Sequence, residues 1–141
     1  MSYNLETLRA NLKTLLVAVT EIQNVYDYAE PEIAGYPAII FDIVEKDDEW
    51  KTNTDVLRTI TFRVWILIET KVGGLETAKD RLDRATKTVV EALEDADNQT
   101  LSGACDWILP TAGTRSQIQG PNGNLLSQTL DVRVKVLSSI L

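Results

Sequence analysis

Apolar residues recur at two different spacings along this chain, and the switches between them mark its elements. Leu5, Leu8, Leu12, Leu15, Leu16 and Val19 fall three or four residues apart. That spacing predicts an amphipathic helix over about Leu5–Thr20 rather than a signal peptide. Asn4 can cap its first turn, and Glu6 sits where the helix dipole favours negative charge. Val25–Ala29 predicts a short aromatic strand, and Glu30–Gly35, with Pro31, predicts a loop. Tyr36-Pro37 opens the next strand, where proline is tolerated. Ala38–Glu45 is rich in β-branched residues and reads as a strand mostly buried on both faces, or covered by a partner on one. Lys46–Asp55 is polar, with Trp50 in its middle, and predicts a connection.

The second half repeats the contrast. In Val56–Thr70, Ile60, Phe62, Val64, Ile66 and Ile68 alternate with Thr59, Thr61, Arg63, Trp65 and Glu69. This period of two predicts a long strand with one face on a core. Its other face also carries Leu57 and Leu67, so it is either half-solvated or covered by another subunit. Gly73-Gly74 ends it. Leu75, Ala78, Leu82, Ala85, Val89, Leu93 and Ala96 then predict a second helix over about Leu75–Ala96. Asp97–Gly103 reads as a turn. Ala104–Gln119, interrupted by Pro110 and Gly113, reads as a bent or edge strand. Gly120-Pro-Asn-Gly-Asn is the strongest turn signal. In the final strand, Leu126–Leu137, Leu126, Leu130, Val132, Val134 and Val136 face one way, with Gln128 as a polar exception. Ser127, Thr129, Asp131, Arg133 and Lys135 face the other. The expected architecture is one α+β domain over residues 1–141. It has an antiparallel or mixed sheet of four to five strands, with both helices packed on one face.

Charge and composition narrow the function. The net charge is −7, with no long basic run, so phosphate backbones would be repelled rather than held. No apolar stretch is long enough to span a membrane. There is no histidine, which removes the commonest general base and metal ligand at neutral pH. The single cysteine, Cys105, has no cation beside it to lower its pKa, and reads as an inert thiol. Without histidine, Ser102 and Ser116 form no triad. Gly73-Gly74 lacks the spacing of a phosphate-binding loop, and Glu76 and Asp80 would repel a phosphate there. Asn98-Gln99-Thr100 is a chance match to a glycosylation sequon. Glu45, Asp47, Asp48, Glu49 and Asp55 lack calcium-loop spacing and read as a solvated or an interaction loop. Trp50, Trp65 and Trp107 lie among polar residues, which makes them candidate interface anchors as well as ordinary half-buried indoles.

Three stretches carry a resemblance. They are Leu8-Arg9-Ala10-Asn11-Leu12 in the first helix, Val25–Ala29 followed by Tyr36-Pro37-Ala38-Ile39-Ile40, and Arg58–Glu69 running into a Leu/Ala-rich helix. With the element order and length, they resemble the tail-terminator (tail-completion) proteins of long-tailed bacteriophages over essentially the whole chain. The resemblance implies a homo-oligomeric, hexameric ring on the head-proximal end of the tail tube. Such a ring stops polymerisation of the tail-tube protein and offers a joining surface to a head-completion or neck protein. DNA passes its lumen without specific binding. The protein would belong to the virion, be assembled in the host cytoplasm, and use no cofactor, metal or catalytic residue. A ring needs contacts that close. The candidate subunit or tail-tube contacts are Asp47, Asp48, Glu49, Trp50, Arg63, Trp65, Trp107, Arg133 and Lys135, with the Gly113–Gly123 connection. Two alternatives stand beside this reading: another neck or connector component of the same virion, and a cellular α+β ligand-binding or enzymatic domain.

Overall fold

A computed structural model of the chain describes residues 4–27, 35–70, 74–120 and 123–139. The elements in order are α1 (Leu5–Val17), β1 (Asn24–Tyr26), β2 (Ala38–Trp50), β3 (Asp55–Glu69), α2 (Gly74–Glu94), a short 3-10 turn (Ala96–Asn98), β4 (Trp107–Gly120) and β5 (Gly123–Ser139). They form an α+β fold around one five-stranded mixed sheet of order β1-β2-β3-β5-β4. β1 runs parallel to β2, and the other neighbours are antiparallel. β3 and β4 therefore point the same way with β5 inserted between them, so β3-α2-β4 is a split β-α-β unit.

The two spacings in the sequence explain why both helices share one side of the sheet. Leu8, Leu12 and Leu16 from α1 join Ala78, Leu82, Ala85, Val89 and Leu93 from α2 in a single buried cluster. The cluster also holds Ile60, Phe62, Val64, Ile66 and Ile68 of β3 and Leu130, Val132, Val134 and Val136 of β5. Asn4 Oδ1 accepts from the Glu6 and Thr7 amides at 2.9 and 3.2 Å and starts α1. The far end of α2 is closed by two side-chain amides. Asn98 Nδ2 donates to the Ala92 carbonyl at 2.9 Å, and Gln99 Nε2 to the Leu93 carbonyl at 2.7 Å. These satisfy carbonyls that a helix end leaves open, so the apparent sequon is part of a cap.

Several boundaries differ from the sequence reading. α1 ends at Val17, although Val19 and Ile22 in the following turn stay buried. Leu75 is exposed and Ala96 lies in the 3-10 turn, so α2 contributes a shorter stripe. β1 ends at Tyr26 and Asp27 is a bend, so the expected Val25–Ala29 strand is shorter; Tyr28 and Ala29, like most of the Glu30–Gly35 loop, fall outside the described residues. β2 begins at Ala38, after a cis Tyr36–Pro37 bond. The tip of the Gly120–Asn124 turn and Gly73 are also outside.

The largest correction concerns Lys46–Asp55, which is not a polar connection. β2 continues to Trp50 and pairs with β3 residue by residue, from Lys46↔Ile60 to Trp50↔Val56. The true turn is residues 51–54, where Thr52 Oγ1 accepts from the Thr54 and Asp55 amides. Polar residues tolerate the strand there because β1 covers only Ala38–Ile40 and all of Glu45–Trp50 is exposed. Strand pairing, not side-chain burial, holds this half of β2.

Candidate interaction surface on the open sheet face

The face of the sheet away from the helices can be read from the strand registers. Across β2, β3, β5 and β4 its rows are Asp42–Arg63–Asp131–Thr111, then Glu45–Thr61–Arg133–Leu109, then Asp47–Thr59–Lys135–Trp107. A last row holds Glu49, Leu57 and Leu137. The end nearest the start of β2 is closed, with Ala38, Leu67 and Ser127 buried and Trp65 half-buried. The other end is open. Trp107, Leu109 and Leu137 there are 38%, 43% and 46% exposed.

Two β-bulges create this arrangement. A bulge inserts one residue and reverses the alternation of the strand beyond it. In β2 the extra residue lies between Ile43 and Glu45. Before it, Ile39, Phe41 and Ile43 point to the helix side opposite Ile66, Val64 and Phe62. After it, Glu45, Asp47 and Glu49 point to the open side opposite Thr61, Thr59 and Leu57. In β4 the register shifts between Ala112 and Arg115. Gly113 is required there, since a Cβ would lie 3.0 Å from the Thr129 carbonyl oxygen and overlap Thr129 Oγ1. The same Oγ1 accepts from the Thr114 amide at 2.8 Å. Gln128, the polar exception of the last strand, is buried beneath this bulge. Its Oε1 accepts from Arg115 Nε at 3.1 Å, and its Nε2 donates to the Thr129 carbonyl at 3.1 Å. Arg115 also reaches Asp83 of α2 at 2.6 Å, which ties the helix to the edge strand.

Of the residues singled out in the sequence, Asp47, Glu49, Arg63, Trp65, Trp107, Arg133 and Lys135 share the open face. Asp48 and Trp50 point to the helix side at the tip of the β2-β3 hairpin, where Asp48 meets Arg58 at 3.1 Å. Trp50 is 57% exposed. Arg63 Nε donates to Asp131 at 3.0 Å, and that bond and charge hold its guanidinium above the usual arginine value. Lys135 Nζ donates to Thr59 Oγ1 at 2.8 Å. Lys51 donates to Glu49 at 2.9 Å; this bond, then the lysine's charge, lowers the Glu49 pKa. Arg133, Glu45 and Asp47 are exposed and have no side-chain partner among the described residues. The sequence reading missed Leu109 and Leu137 as part of this surface. The period of two already sets Leu137 beside Lys135 on β5 and Leu109 beside Trp107 on β4, and the register brings the two strands' residues together.

Cys105 is buried, with its thiol pushed up to about 11 by burial and then by the Asp106 carboxylate. Among the described residues no group of three or more Cys, Asp or Glu is gathered to hold a metal ion. One shallow groove runs along α1, lined by Leu5, Glu6, Arg9, Ala10, Lys13 and Asp27. Another lies between the helices. Neither gathers convergent polar groups with a buried acid or base. The Cys105 environment has a measurable consequence. The folded thiol keeps its proton to about pH 11, while an unfolded one releases it near 9.0. Its stabilisation is therefore fully present below pH 9 and is lost as pH rises from 9 to 11, by roughly 1–2 kcal/mol after solvent screening. Urea titrations of the wild type and Cys105→Ala across that range should show the steeper fall in the wild type. Parallel pH slopes would contradict the assignment.

No family model matches the chain, and no curated protein matches it. Among solved structures, the chain is similar to a component of one described as "Virion of native gene transfer agent (GTA) particle". The match covers 94% of this chain and 90% of the other, at 18% identity and a TM-score of 0.48. What the geometry establishes is an α+β domain with a sheet face that is open, charged and partly apolar at one end.

Proposed function

We propose that this protein is a non-catalytic structural component of a virion, acting as a tail terminator. In this reading copies of the chain form a ring on the head-proximal end of the tail tube, halt its growth and present the surface to which the head joins. The observation that carries it is the open end of the sheet face. Large apolar side chains stand exposed there among unpaired charges, which is the composition of a protein-binding surface and not of a small-molecule pocket. The resemblance of the sequence to tail-terminator proteins supplies the specific role. The acidic balance suits a ring that DNA crosses without sticking. The GTA virion component is compatible with this reading and adds no weight to it.

The test is to add the purified chain to tubes assembled from the tail-tube protein of the same virion, and to image them by negative stain. Tubes capped at one end by a ring, with growth arrested, are the expected result. Tubes that keep growing uncapped would overturn the reading. Binding instead to the portal-side adaptor would move the chain to a connector role. A thermal shift with nucleotides or metabolites, in a chain that stays monomeric, would indicate a ligand-binding domain.

Trp50 offers a sharper check. Its indole is exposed at the hairpin tip, so Trp50→Ala should change folding stability by no more than about 0.5 kcal/mol. The same change should weaken ring formation or tube capping, because exposed indoles at a contact are frequent anchors. An unchanged oligomer and unchanged tail length would remove Trp50 from the interface.

A further inference from the structure

The open face carries two half-surfaces of opposite charge that no ion pair joins among the described residues. Glu45, Asp47 and Glu49 line its β2 side, with Val44, the extra residue of the bulge, exposed beside them. Arg133 and Lys135 line β5, with Trp107, Leu109 and Leu137 exposed around them. Thr61, Thr59 and Leu57 of β3 lie between the two columns. Neighbouring strands are about 4.8 Å apart, so the columns are separated by about 10 Å, and Lys135 donates its hydrogen bond to Thr59 while adding only its charge to Glu49. Glu45 and Asp47 on one side and Arg133 on the other have no side-chain partner among the described residues.

We infer that the occupant of this face is a second copy of the chain, packed face to face. The acidic β2 margin of one copy lies on the basic, Trp107-bearing β4-β5 side of the other. Charge complementarity argues for a self-contact, since the acids missing from the Arg133 side are those left unpaired on the β2 side. The edges argue for face packing and against continuous strand pairing between copies. β4 carries Pro110 and a bulge, and β2 beyond β1 carries a bulge and a run of acids. Both are devices that blunt an edge. Because the two columns lie on one face on either side of β3, a two-fold axis along β3 sets each acidic column on the other copy's basic column, so the contact is isologous and closes as a dimer. This inference goes beyond the assembly reading and stands independently of it, by naming a surface between two copies.

The test reverses each half-surface separately. Glu45→Lys/Asp47→Lys and Arg133→Glu/Lys135→Glu alter exposed or half-exposed positions, and thermal melts verify that both variants fold. Sedimentation at about 0.15 M salt should show self-association of the wild type. Each variant alone should associate about a hundredfold more weakly, since like charges are then juxtaposed. An equimolar mixture should regain association, because the reversed acids of one variant meet the reversed bases of the other. Variants that associate like the wild type, or a mixture that stays dissociated, would overturn the inference. So would a wild type that remains monomeric to about 1 mM, because a self-complementary surface needs no other component. The tube-capping assay on the wild type separates the two claims. Capping with indifferent charge variants removes this surface and leaves the tail-terminator reading. Association through the charged columns without capping does the reverse.

Discussion

Phe62→Ala should lower the free energy of unfolding by about 3–5 kcal/mol. Phe62 is fully buried in the middle of β3, the strand hydrogen-bonded to both β2 and β5. Its cross-strand partners on the helix side are Ile43 and Val132, and its ring centroid lies 6.1 Å from that of Phe41 at 60°. Truncation removes the apolar transfer term, leaves a cavity under the helices and breaks a tilted aromatic pair worth about 0.5–1.5 kcal/mol. A domain of this size is stable by about 5–15 kcal/mol, so the variant should fold but melt at much lower urea. The consequence reaches the open face, since Thr61 and Arg63 flank Phe62 on the same strand and point to the other side. A loss below about 1 kcal/mol at an unchanged urea slope would contradict the position of Phe62 in the core.

The second large effect is expected at the polar clasp beneath the β4 bulge. Gln128→Leu should cost about 2–3 kcal/mol, because it fills the space and leaves a partly buried guanidinium nitrogen and a carbonyl without partners. The diagnostic variant is Arg115→Met/Gln128→Leu. Removing both ends of a buried polar contact is far less costly than removing one. The double variant should therefore recover part of the loss, and the urea midpoints of the four chains form the cycle that measures it. Additive losses would mean that Arg115 and Gln128 act independently, and that Asp83 alone anchors the arginine.

These two sites illustrate what could be read in the chain directly. Phe62 was legible as core because Ile60, Phe62, Val64, Ile66 and Ile68 alternate without interruption, and only one phase of a strand fits that pattern. The stripes of α1 and α2 were legible for the same reason at helical spacing. Gln128 was visible as an exception but not as a clasp, because its partners Arg115 and Gly113–Thr114 lie on another strand whose register the sequence does not carry. Lys46–Trp50 was misread because strand pairing satisfies backbone groups whatever the side chains are, so an exposed edge strand shows no apolar alternation.

The amino-acid sequence by itself determined the fold class, the side of the sheet on which both helices pack, and the candidate chemistry. Local apolar spacing and residue type decide those three matters. The tertiary structure alone decided which polar residues share a surface. Past the bulges at Val44 and Gly113 the in-out phase of β2 and β4 reverses, and that phase sets Glu45 and Asp47 on the face shared with Arg133 and Trp107. A one-residue register shift moves every following side chain to the opposite face. No spacing within a single strand records such a shift, because it exists only between strands.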